Sequence, residues 1–320
     1  MSITSAMKPS EQPHGRLPLS TTREKFLAAL FDRLWDEYRK RVSYVQTYEQ
    51  IVAQSGATFF NDHIAFRTIA SQTPMAGIAS IARVFEALGY RAAGNYYFAD
   101  KHLSAIHLAH SHPQFPKLFV SEFCSWMLPA DRQTIITRTV KSHREPVALE
   151  LLAQLAQLDQ QSDFAPSLLE NVTKIFTELP WNVPERADVV EMNRTSQYAA
   201  WVMVHGYAVN HFTSLVNSHG VFGLDSLEKT IDALAAAGVP MKPEIEGEAG
   251  SKLRQSATEA VPTEVSVMES GKLTSMPWTY AYFELAERNA YLDPQTGKQV
   301  RFEGFLGPQA TNLFEMTRVK

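Results

Sequence analysis

The sequence predicts an α+β fold in which a strand–helix–strands unit occurs twice, with helices before the first copy and a helical insertion between the two. Three observations carry this. Short alternating strands flank one amphipathic helix in residues 57–125, the same order returns in 206–320, and the intervening residues 126–205 are patterned as helix.

The elements follow in chain order. Residues 1–20 are polar, contain proline and lack an apolar h-region, so a flexible tail rather than a secretory signal is expected. From Thr21 to Arg41, Phe26, Leu27, Leu30, Phe31, Leu34, Trp35 and Tyr38 recur at helical spacing behind a Ser20-Thr21 cap. A second helix is expected over Thr47 to Ser55, stopped by Gly56, so that 21–56 form an N-terminal helical segment. His63 to Thr68 alternates and reads as a strand. Ile78, Ile81, Val84, Phe85 and Leu88 then mark a helix ending at Gly89. Three β-like runs follow, near Tyr90 to Ala99, Leu103 to His110 and Lys117 to Phe123. The 126–205 insertion is broken at Pro166, Pro180 and Pro184. Ala208 to Val216 is again a strand, and DSLEKTIDALAAAGV is a capped helix ending at Gly238. TEVSVMES and an alternating strand from Thr279 to Arg288 complete the second copy. DHIAFRT sits opposite NHFTSLV and FVSEF opposite YFELA, and Glu122 is read as the first-half equivalent of Glu284.

Composition narrows the chemistry. The 320 residues are 45% hydrophobic and 20% charged with a net charge of −4, a balance that argues against a nucleic-acid surface built on clustered cations. No run of about 18 apolar residues is present to span a membrane. The single cysteine, Cys124, excludes an internal disulfide and a multi-thiolate zinc site, and it lies in an apolar stretch as a core residue would. The expected compartment is the cytoplasm, and any metal must be held by histidines and carboxylates.

Alternate side chains of a strand share a face. His63, Ala65 and Arg67 therefore point one way, His211, Thr213 and Leu215 share a face, and so do Tyr280, Tyr282, Glu284, Ala286 and Arg288. Burying a histidine or glutamate on an inward face needs a partner. Three such groups in a repeated unit suggest that His63, His211 and Glu284 converge on one metal ion. Two imidazoles and one carboxylate leave three coordination positions open, the arrangement of non-haem Fe(II) oxygenases. A 2-oxo acid would take two of these positions and O2 the third. Arg67, roughly 13 Å along the strand from His63, would grip a substrate carboxylate. Spacing alone leaves alternatives. Glu284 would also pair with Arg288, Arg67 with Asp62 or Glu122, and Glu122 would serve as a fourth ligand. His102, His107, His110 and His112 form a competing cluster, although HSHP reads as an exposed turn.

NDHIAFRT, VNHFTSLVN, GSKLRQSATEAV and YFELAER together resemble the 2-oxoadipate dioxygenase/decarboxylase family of the vicinal oxygen chelate superfamily, over about Phe26 to Phe314. The resemblance implies duplicated βαβββ modules forming a half-open barrel, with Fe(II) at His63, His211 and Glu284. It also implies carboxylate recognition by Arg67, with a further substrate contact at Pro308 or Gln309 in the closing segment FEGFLGPQATNLF. Tyr280 and Tyr282 would pack in the pocket wall. The implied reaction converts 2-oxoadipate and O2 to 2-hydroxyglutarate and CO2 in lysine catabolism, by decarboxylation and hydroxylation of the new acid at its own α-carbon. Two other readings are a glyoxalase-like isomerase or lyase with Glu122 as fourth ligand, and a non-catalytic module binding a small molecule.

Overall fold

The computed structural model describes residues 12–144, 148–307 and 317. Helix α1 (Thr22–Arg41) starts in a capping box, in which the Thr21 hydroxyl accepts from the Glu24 amide and the Glu24 carboxylate accepts from the Thr21 amide. All seven of the apolar residues that predicted it are buried. Helix α2 (Tyr44–Gln54) begins at Tyr44, about a turn before the Thr47 expected from sequence.

The first module runs β1 (Asn61–Ile69), a short β2 (Ser71–Gln72) and β3 (Met75–Ala76) ladder, α3 (Ile78–Ala87), then β4 (Arg91–Phe98), β5 (Leu103–Ala109) and β6 (Lys117–Phe123). The insertion supplies α4 (Ala130–Val140), α5 (Leu149–Ala156), α6 (Pro166–Thr177), α7 (Arg186–Thr195) and α8 (Gln197–His205). The second module runs β7 (Val209–Leu215), α9 (Leu227–Ala236), β8 (Leu253–Ala257), a β9 (Pro262–Glu269) and β10 (Lys272–Thr279) hairpin, and β11 (Glu284–Arg288). A last hairpin joins β12 (Ala290–Leu292) to β13 (Gln299–Arg301).

Seven strands form one curled sheet, a half-barrel in the order β4-β5-β6-β1-β7-β11-β8. β1 is parallel to β6, β7 is parallel to β11, and β1 meets β7 antiparallel at the centre. His63 stands opposite Thr213 and Ala65 opposite His211, the pattern of a local two-fold axis between equivalent strands. The outer strand of the second module is reduced to two bridges, Met241 with Thr258 and Glu246 with Gln255.

Two expectations change here. The alternating run Thr279–Arg288 is not one strand. Thr279 ends the β9–β10 hairpin, an insertion outside the main sheet, and β11 begins only at Glu284. The Tyr280 amide donates to the Val261 carbonyl and the Val261 amide to the Ala281 carbonyl, both at 2.9 Å, and these bonds hold the crossover. The stretch expected as a loose tail is anchored before its end. Pro13 and His14 are buried, and the His14 amide and Nδ1 reach Asp32 at 2.9 and 2.8 Å.

One face of the sheet packs on helices. Phe212 meets Trp35 and Tyr38 of α1 at 5.0 and 5.1 Å between ring centroids, and Phe66 meets Phe85 of α3 and Phe176 of α6. Each such buried ring contributes roughly 1.5–3 kcal/mol. The opposite, inner face mixes polar side chains with Ala65 and Phe119.

Candidate metal centre

His63, His211 and Glu284 come together on that inner face, each buried and each from a different strand: β1, β7 and β11. One ligand atom from each lies within 4.8 Å of the others, a group that could hold a metal ion. His63 Nε2 is 3.2 Å from Glu284 Oε1 and 3.3 Å from His211 Nε2, which is 3.4 Å from Glu284 Oε2.

The outer partners fix these groups. His63 Nδ1 donates to the Asp62 carboxylate at 2.8 Å, and His211 Nδ1 to Asn210 Oδ1 at 3.1 Å. Both Nε2 atoms are thereby turned to the shared point. Gln255 Nε2 donates to Glu284 Oε1 at 2.6 Å, and the Thr213 hydroxyl lies 3.0 Å from His63 Nε2. Glu284 Oε2 is buried without a hydrogen-bond partner. A buried carboxylate oxygen facing two imidazole nitrogens is a place for positive charge.

The electrostatics agree. Burial opposes the charge on Glu284, yet the His211 and His63 rings outweigh it and lower its pKa. Burial likewise opposes a proton on His63, but Glu284 and Asp62 together raise its pKa. Burial pushes His211 down to about 3, leaving it neutral. A proton at this point and a bound cation answer the same charge. The residues fit a divalent ion.

The cluster opens into a cavity of about 450 Å3, mouth included, that also exposes Arg67, Phe119, Tyr282 and Phe305. Arg67 is 2% exposed and donates through Nη1 to the Thr317 hydroxyl at 2.7 Å. The Tyr198 and Trp201 rings of α8 lie 5.1 and 5.3 Å from its guanidinium, so the insertion ends packed against Arg67. Tyr282 stacks on His211 at 4.9 Å. Tyr280 does not line the cavity: its hydroxyl donates to the Val209 carbonyl, and its ring stacks on Trp201.

Glu122 is not at the cluster. Its Oε2 accepts from the Ile78 amide at 2.9 Å, at the start of α3. The Gly77 backbone passes so close that a Cβ there would stand 2.5 Å from that oxygen. Register shows why. Ala65 pairs with Phe119 and Thr213 with Glu284, so the first-module counterpart of Glu284 is Phe119. Arg288 pairs with Asp62 rather than Glu284, at 2.6 Å. His107 bonds the Tyr96 hydroxyl and His112 the Pro18 carbonyl, so the competing histidines do not converge. Pro308 and Gln309 lie outside the described residues. Asn210, Gln255, Phe305 and Thr317 were not singled out from sequence. Asn210 had a signal, since it precedes His211 as Asp62 precedes His63.

Duplicated βαβββ modules around a half-barrel, with a His–His–carboxylate cluster on the inner face, define a vicinal-oxygen-chelate, or glyoxalase-superfamily, protein. The fold is shared with a glyoxalase-superfamily protein from Ralstonia eutropha JMP134 (TM-score 0.77, 25% identity, 89% of this chain and 87% of that one). It is shared too with the hydroxyglutarate synthase of Oryza sativa, solved with 2-oxoadipate (TM-score 0.74, 24% identity, 94% of each chain). The family model for 2-oxoadipate dioxygenase/decarboxylase matches residues 28–312, and the chain belongs to that family of enzymes. A chloroplastic/amyloplastic 2-oxoadipate dioxygenase/decarboxylase of Oryza sativa subsp. japonica is 24% identical over 98% of this chain and 85% of its own length. Among the described residues, no helix is long and apolar enough to cross a membrane.

Proposed function

We propose that this chain is an Fe(II)-dependent dioxygenase that converts 2-oxoadipate and O2 to 2-hydroxyglutarate and CO2, a step of lysine catabolism. The observation that carries the reading is the convergence of His63, His211 and Glu284, with both histidines lining the cavity that Arg67 also lines. In this reading the three side chains would hold the iron. Bound iron would supply O2 activation and the electron transfers between oxygen and the chelated oxo acid. Both atoms of O2 end in products, one in the new carboxyl group and one in the hydroxyl, so no external reductant is needed.

The chain's own residues position and screen. Arg67 grips the carboxylate remote from the iron and so selects a dicarboxylic oxo acid, held in place by the Thr317 hydroxyl and the Tyr198 and Trp201 rings. Pro308 or Gln309 adds a second substrate contact. Phe119, Tyr282 and Phe305 present apolar surface around the centre and exclude water. Asp62 and Asn210 keep each Nε2 aimed inward. With one buried cysteine, the chain suits a reducing compartment, and we assign it to the cytoplasm.

A glyoxalase-like isomerase would need a fourth ligand. Phe119 at the position paired with Glu284 by symmetry, and Glu122 at the start of α3, argue against it.

The test is oxygen uptake by anaerobically purified protein loaded with Fe(II) and 2-oxoadipate, with product identified by mass spectrometry. Equimolar O2 consumption, CO2 and 2-hydroxyglutarate are expected. No uptake with any dicarboxylic 2-oxo acid would overturn the reading. His63→Ala and Glu284→Ala should lose both iron and turnover. Arg67→Ala should keep iron and raise KM roughly 10- to 100-fold, the worth of a charge-assisted hydrogen bond.

A further inference from the structure

Arg288 is 1% exposed and lies on β11, on the same face as Glu284, yet it lines no part of the cavity. Each side of its guanidinium meets a different part of the site. Nε and Nη2 hold the two oxygens of Asp62 at 2.6 and 2.9 Å, and Asp62 in turn accepts from His63 Nδ1 at 2.8 Å. Nη1 donates to the carbonyls of Phe302 and Gly304 at 3.2 and 2.7 Å. The guanidinium lies 5.1 Å from the Phe305 ring, whose edge meets the His63 ring at 4.9 Å. Asn217 fixes the Arg288 backbone from β7's end, accepting from its amide and donating to its carbonyl.

Residues 302–306 follow the last short strand and take no part in the sheet, so their carbonyls need donors from elsewhere. This irregular segment carries Phe305 and Leu306, both in the cavity wall. One buried cation therefore sets both the aim of a ligand histidine and the place of the wall opposite it.

We propose that Arg288 is a positioning residue that joins the His63 ring and the Phe305–Leu306 wall into one unit, so that metal affinity and oxo-acid affinity are set together by a side chain that touches neither. The inference rests on the metal and substrate reading above. A planar fork is required for it. Lysine keeps the charge that Asp62 needs but offers one ammonium where arginine serves a bidentate carboxylate and two carbonyls.

The test uses Co(II) as the metal probe, read by its visible absorption, and 2-oxoadipate binding to the Co(II)-loaded protein from the shift of the same bands. Arg288→Lys should weaken Co(II) binding roughly 10- to 100-fold, the range for lost partners behind a metal ligand, with a parallel loss of 2-oxoadipate affinity. Two controls separate the halves. Asn210→Ala, which frees His211 but leaves the Phe305–Leu306 wall in place, should weaken Co(II) binding by a larger factor than it weakens acid binding to the loaded protein. Phe305→Leu should weaken the acid and leave Co(II) unchanged. If Arg288→Lys fails to fold, the charge-neutral pair Asp62→Asn with Arg288→Gln should show the same joint loss. Loss of only one affinity, or of neither, in whichever of these folds would overturn the coupling. Failure of the wild-type protein to bind Co(II) would instead bring down the metal reading, and the coupling with it.

Discussion

His107 sits on β5 behind Phe305, with the Tyr96 hydroxyl 2.9 Å from its Nδ1. Burial, then the nearby Lys117 and Arg288 charges, drives its pKa from 6.5 down to about 4. Between those values the unfolded chain binds a proton that the native ring refuses. Stability from His107 is therefore complete above about pH 6.5 and is lost as pH falls toward 4. His205, buried on α8 and driven to about 3 by burial and then Arg41, adds in the same direction. Urea midpoints measured from pH 7 to pH 4.5 should fall, and His107→Gln should flatten that slope; an equally steep slope in the variant would contradict the assignment. At this scale Arg67 was legible, because strand alternation alone places it on the His63 face. Its partner Thr317 was not. That contact joins residues 250 positions apart, and no local pattern announces it.

Among the elements, α3 shows what a side chain can do away from the site that sequence suggested for it. Glu122 answers the Ile78 amide at the positive end of this helix, while burial raises its pKa. Glu122→Gln should leave metal stoichiometry unchanged, measured by elemental analysis, and cost about 1 kcal/mol or less in urea denaturation. Loss of a bound ion in that variant would restore the four-ligand site. The helices were legible because caps and apolar spacing are local: Thr21 opens α1 and Ser226 opens α9 with side-chain bonds. The strand at 279–288 was overextended because Trp278, Tyr280 and Tyr282 keep alternating across a break. An apolar alternation records which residues are buried, not which ladder they join.

At the scale of the whole molecule, the duplication was readable as an order of elements, but its register was not. Reading Glu122 as the equivalent of Glu284 followed residue type, whereas the pairing of β6 with β1 and of β11 with β7 makes Phe119 the true counterpart of Glu284. Register is set by bonds between strands, and a slip of one residue turns every side chain to the other face. The two halves thus differ where they meet the centre, one giving a carboxylate and the other a phenyl ring. Phe119→Glu should convert the site toward four ligands. The expected signs are tighter Ni(II) binding, a thermal midpoint depressed without metal and restored by it, and loss of oxygen uptake; unchanged Ni(II) affinity would show that the two positions do not face the same point. The thinned outer strand of the second module, held by bridges at Met241 and Glu246, bears on how long an ion stays. Amide protons at Lys242 and Glu246 should exchange with deuterium through small local openings, while those of Ile64 and Phe212, at the centre of the sheet, wait for global unfolding. Two of the three candidate ligands, His63 and His211, ride on those slow central strands, so the rim could breathe many times over before an ion held there had any route out.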